Sequence, residues 1–262
     1  MNKKQNIVAI IPARYGSTRF PGKALAPING KPMVQWVYER TRGSRLVGRV
    51  IVATDDDRIM QAVAAFGGEA VMTSSSHQTG TDRIAEVARA VACDIVVNVQ
   101  GDEPLIRPAM IDQAVSPLVE DPSVPMGTLC KKIASPAEAF DPNVVKVVFD
   151  RNGFALYFSR APIPWDRDRW AGKKSLAELT LDNAMYKHIG LYAYRRDFLL
   201  RYADMPRTAL EAAEKLEQLR ALELGHRIKV VVTEHDSFGV DIPGDLGKIL
   251  ACLEKKDGNV KR

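Results

Sequence analysis

The chain has 262 residues, 46% apolar and 26% charged, with 18 Gly and 15 Pro, a globular mix that excludes disordered, collagen-like and disulfide-dense classes. No apolar run approaches the roughly 20 residues of a membrane span, and the strand-length run Ile7–Ile11 behind a polar start lacks the length and cleavage site of a secretory leader. The formal charge of +5 tolerates anionic small molecules without pointing to nucleic acid, and Cys93, Cys130 and Cys252, odd in number and far apart, fit a reducing cytoplasm rather than a disulfide or zinc framework.

Strand and helix signals alternate from the start. Ile7–Ile11 predicts a buried strand closed by Pro12, Val34–Arg40 a helix, and Arg49–Thr54 a second buried strand. Ile59, Ala62, Val63 and Phe66 recur on one helical face that Gly67 and Gly68 end, and Ala70–Met72 reads as a short strand. Ile84, Val87, Ala88 and Val91 repeat the helical spacing behind Asp82, the expected N-cap. Asp94–Val99 is a third β-branched run, and a helix entered through Pro108 carries Ile111, Ala114, Val115 and Leu118. This is the pattern of a doubly wound, mostly parallel α/β nucleotide-binding sheet.

The second half is less regular. Val144–Phe149, Ala155–Ser159, Ile189–Tyr194 and Ile228–Thr233 read as strands, with a polar insert over about 162–187 that carries Trp165 and Trp170. Thr208 and Glu211 form a capping box for a helix expected to run to about Leu224, and Asp245–Leu253 predicts a terminal helix. Residues 1–254 are expected to form one domain with an inserted arm, followed by a basic, disordered tail over 255–262.

Four stretches could carry chemistry. The loop after the first strand, Pro12 to Lys23, places Gly16, Ser17 and Gly22 among Arg14, Arg19 and Lys23, where open α/β sheets bind ligands, and suits a triphosphate. It is not a Walker loop: five residues separate Gly16 from Gly22, and Ala24 stands where Ser or Thr would hold magnesium. Asp102, just past a central strand, is placed to hold a hard cation or to cap the turn before Pro104. Asp241, after the last strand, could be a second ligand or a solvated turn residue. Thr79-Gly80-Thr81-Asp82-Arg83 before a helix could contact an anion or a base, or act as an ordinary cap.

These residues sit in eight motifs in order. They are Ile10 to Lys23, Asn29 to Met33, His77 to Arg83, Asn98 to Pro104, Ala155 to Arg160, Lys187 to Tyr192, Leu216 to Arg220 and Val240 to Pro243. Together they span roughly residues 7–250, and the chain resembles the 3-deoxy-manno-octulosonate (Kdo) cytidylyltransferase family, the CMP-Kdo synthetases. The resemblance implies a nucleotidyltransferase fold and a reaction in which CTP and Kdo give CMP-Kdo and pyrophosphate for lipopolysaccharide biosynthesis. It implies that Ala13, Arg14, Gly16, Ser17, Arg19 and Lys23 bind CTP together with Thr81, Arg83 and Gln100. Asp102 and Asp241 would hold Mg²⁺ and, with Arg14 and Lys23, form the catalytic set. Gln100, Arg160, His188, Tyr192, Glu217 and Gln218 would face the sugar, and the insert would serve a homodimer. The same chemistry on 8-amino-Kdo or a sialic acid is the rival reading, because a carboxylate such as Glu211 or Glu214 could receive an amine.

Overall fold

The computed structural model describes residues 5–17, 19–173, 175–181 and 185–258. The described residues divide into two compact units, those within 1–112 together with 236–262, and those within 113–235.

The first unit opens with β1 (Ile7–Ala13), whose residues are apolar and almost wholly buried because strands flank it on both sides and helices cover its faces. A small hairpin follows, β2 (Pro27–Ile28) and β3 (Lys31–Pro32), turned through Asn29 at φ 47° and Gly30 at φ 77°, the backbone of a two-residue primed turn. Then come α1 (Met33–Arg42), β4 (Arg49–Thr54), α2 (Asp57–Ala65), β5 (Ala70–Met72), α3 (Gly80–Ala90), β6 (Ile95–Asn98) and α4 (Pro108–Glu120), the last of which contains the boundary between the units. All pairs in the order β6-β1-β4-β5 are parallel, with Ile10 opposite Ile51 on one side and Asn98 on the other. The β/α alternation expected from sequence is present, and it aims the loops after β1 and β6 past the carboxyl ends of the strands.

One cap differs from expectation. Thr79, not Asp82, is the N-cap of α3; the Asp82 amide donates to Thr79 Oγ1 and the Thr79 amide to Asp82 Oδ2, each at 3.1 Å. Asp82 is the far half of a capping box, three residues inside the helix.

The second unit contains β7 (Met126–Lys132), α5 (Pro136–Phe140), β8 (Lys146–Phe149), β9 (Ala155–Ser159), α6 (Arg167–Trp170), β10 (Tyr186–Arg195), α7 (Arg196–Ala203), α8 (Ala209–Glu214), α9 (Leu219–Glu223) and β11 (Ile228–Val232). Its sheet is mixed: β11 runs parallel to β7, whereas β7, β10, β8 and β9 pair antiparallel in that order. The buried Lys146 ammonium, with no exposed surface, donates to the carbonyls of Asp141, Val144 and Arg160 at 2.9, 2.7 and 2.6 Å, so it ties the 141–144 turn to the end of β9.

The helix expected from Thr208 to Leu224 is two helices. Lys215 takes a left-handed conformation (φ 54°, ψ 43°) between α8 and α9. The break lets Arg220 reach back to Glu211, Nε to Oε2 at 2.8 Å and Nη2 to Oε1 at 2.6 Å. Nine residues of unbroken helix would separate those side chains by about 13 Å.

The insert is not wholly a surface arm. Trp170 is buried with Ile133, Ala139 and Met185, and its indole N–H donates to the Thr180 carbonyl at 3.2 Å. Trp165, 57% exposed, stands edge-on to Trp170 with ring centroids 5.1 Å apart.

Back in the first unit, α10 (Asp245–Gly258) buries Ile249 and Leu253 against Ile28, Met33, Leu105 and Val240. It runs past the expected Leu253, so the tail expected to be disordered from Lys255 begins as helix, in keeping with the helix-forming Glu254-Lys255-Lys256. Residues 259–262 of that tail lie outside the described residues.

Candidate active site

A cavity of about 410 Å³ opens in the first unit at the carboxyl ends of β1 and β6. Pro12, Ala13, Arg14, Ser17, Arg19, Lys23 and Ala24 line one side, His77, Gln78, Thr79, Gly80 and Arg83 a second, and Gln100, Gly101, Asp102 and Asp241 a third.

Local packing fixes the loop after β1. The amides of Ser17 and Gly22 both donate to the Tyr15 carbonyl at 2.9 Å, folding the loop over one residue. Gly22 sits at φ 71°, and a Cβ there would meet the Tyr15 ring at 3.1 Å, so the turn takes a left-handed residue without a side chain. The Arg58 guanidinium lies 3.3 Å over the same ring and bonds Asp56 at 2.6 Å, tying the loop to the start of α2. Gly101 has a different reason: a Cβ there would lie 2.7 Å from the Pro12 carbonyl oxygen, so only glycine lets the loop after β6 pass against the end of β1.

Two ion pairs cross this pocket. Lys23 Nζ donates to Asp102 Oδ2 at 2.6 Å and to the Val240 carbonyl at 2.8 Å, and the Val240 amide donates to the Asp102 carbonyl at 2.9 Å. Arg19 holds Asp241 in a fork, Nη1 to Oδ2 at 3.2 Å and Nη2 to Oδ1 at 3.0 Å. Asp102 and Asp241, far apart in sequence, thus face one cavity across one short stretch of backbone. Arg14 is exposed and has no hydrogen-bond or ionic partner among the described residues, which leaves a cation free for a ligand.

Among the described residues no cluster of three or more His, Cys, Asp or Glu side chains could cage a metal. Two carboxylates without a cage are nevertheless a donor set that fits magnesium, which takes one or two carboxylates and completes its shell with phosphate oxygens and water.

The expected nucleotide residues divide into three groups. Ala13, Arg14, Ser17, Arg19, Lys23 and Gln100 line the cavity. Arg83 lines it as a buried support, its guanidinium donating to Thr73 Oγ1 at 2.5 Å and Asp55 Oδ2 at 2.6 Å. Thr81, 3% exposed in the first turn of α3, and Gly16 fall outside the lining. The lining also includes Thr79 and Gly80, expected before α3 as contacts to an anion or base, and His77 and Gln78, which carried no expected role. Their signal was the position just before a capped helix, whose first amides favour anions. The His77 ring is anchored by the Glu86 carboxylate, which also accepts the Ser74 amide at 3.0 Å; these bonds hold the Glu86 carboxyl below its usual range.

The expected sugar residues other than Gln100 lie in the second unit. The His188 ring packs 5.0 Å from Phe158 and 5.3 Å from Tyr192. Thr128 donates its hydroxyl proton to the Leu191 carbonyl at 2.8 Å and so receives a hydrogen bond from His188 Nε2 at 2.9 Å. That fixes the tautomer, proton on Nε2, and leaves Nδ1 as an acceptor. Burial raises the Tyr192 phenol, with the Glu217 carboxylate adding to the effect. The Tyr202 hydroxyl donates to the Glu217 carbonyl at 2.6 Å, and Gln218 is buried at the start of α9. Arg160 donates from Nε to the Glu214 carbonyl at 2.7 Å and from Nη1 to the Pro142 carbonyl at 2.9 Å.

The cationic loop at the end of a parallel strand, facing two carboxylates, defines an α/β nucleotidyltransferase. A family model described as cytidylyltransferase matches residues 8–228. A 3-deoxy-manno-octulosonate cytidylyltransferase of Geobacter sulfurreducens is 63% identical over 95% of this chain and 100% of its own, and one of Geotalea uraniireducens is 64% identical over 95% and 99%. A solved structure of CMP:2-keto-3-deoxy-manno-octonic acid synthetase complexed with CTP superposes with a TM-score of 0.88 at 46% identity, covering 96% of this chain and 99% of that one. The chain belongs to the 3-deoxy-manno-octulosonate cytidylyltransferase family.

Burial lowers the His188 imidazole from its usual 6.5 to about 3. Between those values the unfolded chain binds a proton that the fold does not, so stability falls as pH drops from 6.5 towards 3, by about 1.4 kcal/mol per pH unit for this group. Urea melts across that window should show a shallower acid limb for His188→Gln than for the parent; identical limbs would refute the assignment.

Proposed function

We propose that this chain activates Kdo with CTP, giving CMP-Kdo and pyrophosphate for lipopolysaccharide biosynthesis. The observation that carries the reading is the cavity in which Arg14, Arg19 and Lys23 gather around Asp102 and Asp241.

The anomeric 2-hydroxyl of the sugar attacks the α-phosphorus in line; the new O–P bond forms as the bond to the β-phosphate oxygen breaks, pyrophosphate leaves, and the hydroxyl proton passes to solvent or a positioned acceptor. Such a transfer needs alignment and charge neutralisation rather than a covalent enzyme intermediate. Arg14, Ser17, Arg19 and Lys23 grip the triphosphate, and the three cations take up charge that develops on the departing pyrophosphate. Lys23 meets that charge from a fixed position, because Asp102 and the Val240 carbonyl hold its ammonium. Gln100 and the His77–Gly80 segment are assigned to the nucleoside side. Asp102 and Asp241 would hold Mg²⁺, which would screen charge on the phosphate oxygens. Arg160, His188, Tyr192, Glu217 and Gln218 bind the sugar, as their motifs imply.

The amino-sugar rival loses its support, because the two carboxylates it needs are committed. Glu211 is paired to Arg220, and Glu214 accepts from Ser159 Oγ and the Arg160 amide.

This activity is expected in the cytoplasm, where CTP is made. None of Cys93, Cys130 and Cys252 forms a disulfide, and no described helix is long and apolar enough to cross a membrane. A homodimer through the 162–187 segment is supported by exposed Trp165 and Leu176, 57% and 47% accessible.

Two measurements test these readings. With CTP and Mg²⁺, pyrophosphate release is expected with Kdo, not with 8-amino-Kdo or N-acetylneuraminate, and Asp102→Ala should lower it at least a hundredfold, the scale of losing a metal-held transition state. Release with another sugar alone would move the substrate, and silence with all three despite CTP binding would remove the enzymatic reading. Sedimentation at micromolar concentration should give a dimer that Trp165→Ser weakens; a monomeric parent would remove the interface.

A further inference from the structure

Glu214 is the last residue of α8, next to the left-handed Lys215 that begins the turn bearing Glu217 and Gln218. Both of its oxygens already accept hydrogen bonds from the fold. Oε1 accepts the hydroxyl of Ser159 at 2.6 Å, Oε2 accepts the Arg160 amide at 2.9 Å, and its own carbonyl accepts Arg160 Nε at 2.7 Å. Ser159 is 3% exposed, and its oxygen in turn receives the Ala161 amide at 3.0 Å, so the carboxylate fixes the chain on both sides of Arg160. The Arg160 carbonyl is held separately by Lys146 at 2.6 Å, and Nη1 by the Pro142 carbonyl. What remains of Arg160 is Nη2, a charged donor without a partner among the described residues and with almost no freedom in how it is presented.

We propose that Glu214 is a positioning residue for sugar binding. It sets the Arg160 guanidinium with side chain and main chain together, so that Nη2 meets the carboxylate of a 2-keto-3-deoxy sugar acid, and through Lys215 it fixes the start of the turn that supplies Glu217 and Gln218. Glu214 touches no substrate; it acts through its neighbours. A long, flexible arginine would otherwise lose its rotamer freedom on each binding event, and prior fixing removes that cost. The inference rests on the reading of Arg160 as a sugar contact.

The experiment is steady-state kinetics on the full chain with Kdo and CTP varied separately, for Glu214→Ala, Glu214→Gln, Arg160→Ala and the double variant Glu214→Ala/Arg160→Ala. Glu214→Ala and Arg160→Ala should each raise KM for Kdo about tenfold or more, the scale of a lost charge-assisted bond, with KM for CTP within about twofold. Glu214→Gln keeps one acceptor oxygen in the same shape and should recover most of the loss. The double variant should be little worse than Arg160→Ala, because both changes disable one unit. The proposal is overturned if Arg160→Ala raises KM for Kdo while Glu214→Ala, shown folded by its thermal transition, does not. Equal rises for both substrates would overturn it too, since a general loss of structure spares neither. An unchanged KM for Kdo in Arg160→Ala would fault the sugar reading itself, a result distinct from the other two.

Discussion

The first unit depends on one ammonium group. Lys23 reaches from the loop after β1 to the Asp102 carboxylate after β6 and to the Val240 carbonyl before α10. Its side chain is 16% exposed and that of Asp102 is 32%, so the pair is partly desolvated and screened less than a surface pair. Three segments with no sequence proximity converge because one cation satisfies acceptors from two of them. The same convergence puts Asp241 beside the cavity, since Val240 is its chain neighbour. The contact that organises the loops also sets a cation and a carboxylate on the wall of the cavity. The Arg19–Asp241 pair is different: its side chains are 66% and 55% exposed, so it contributes little to stability and can open to a ligand at small cost.

The second unit satisfies its buried cations by pairing them with several acceptors each. Arg220 and Glu211 are 4% and 9% exposed and meet in a fork, the geometry in which a buried ion pair can offset its desolvation. Lys146 is buried with three carbonyl acceptors, and burial, with the Arg160 cation adding to it, pulls its pKa down. Both fix turns rather than regular elements. One consequence is chemical: carboxylates such as Glu211 and Glu214, which could receive an amine if they were free, are already committed to the fold.

Much of this was legible in the sequence where a local signal matched its tertiary outcome. Arg49–Thr54, Ala70–Met72 and Ala155–Ser159 are strands with the expected bounds; the first is a β-branched run buried on both faces, and the other two are short apolar or aromatic runs that favour extended backbone. The strand Met126–Lys132 was not legible: Gly127 and the paired Lys131-Lys132 hide its buried run, and Gly127 is small because a Cβ there would lie 2.7 Å from the Ala114 carbonyl. Helix Arg196–Ala203 lay concealed behind its charged ends. The break at Lys215 carried no local warning; its sign is the Glu211–Arg220 pair that it allows, which adjacent-residue patterns do not reveal. In the site, the cations of the first loop were visible as a cluster, whereas the burial of Thr81 and the engagement of Arg83 by Asp55 follow from how α3 packs. Spacing left Asp241 open between a metal ligand and a turn residue; the Val240 contacts bring it to the cavity.

If Lys23 and Asp102 work as one device in nucleotide binding, their effects on CTP affinity are coupled. The most direct test is a double-mutant cycle on CTP affinity in Mg²⁺, by calorimetry, with Lys23→Met, Asp102→Asn and the two combined. If the pair acts jointly, the two single losses will exceed the loss in the double variant by at least about 1 kcal/mol, the signature of groups in direct contact. Losses that simply add, or an affinity indifferent to both changes in folded protein, would mean that the ion pair stitches the loops together without taking part in the site.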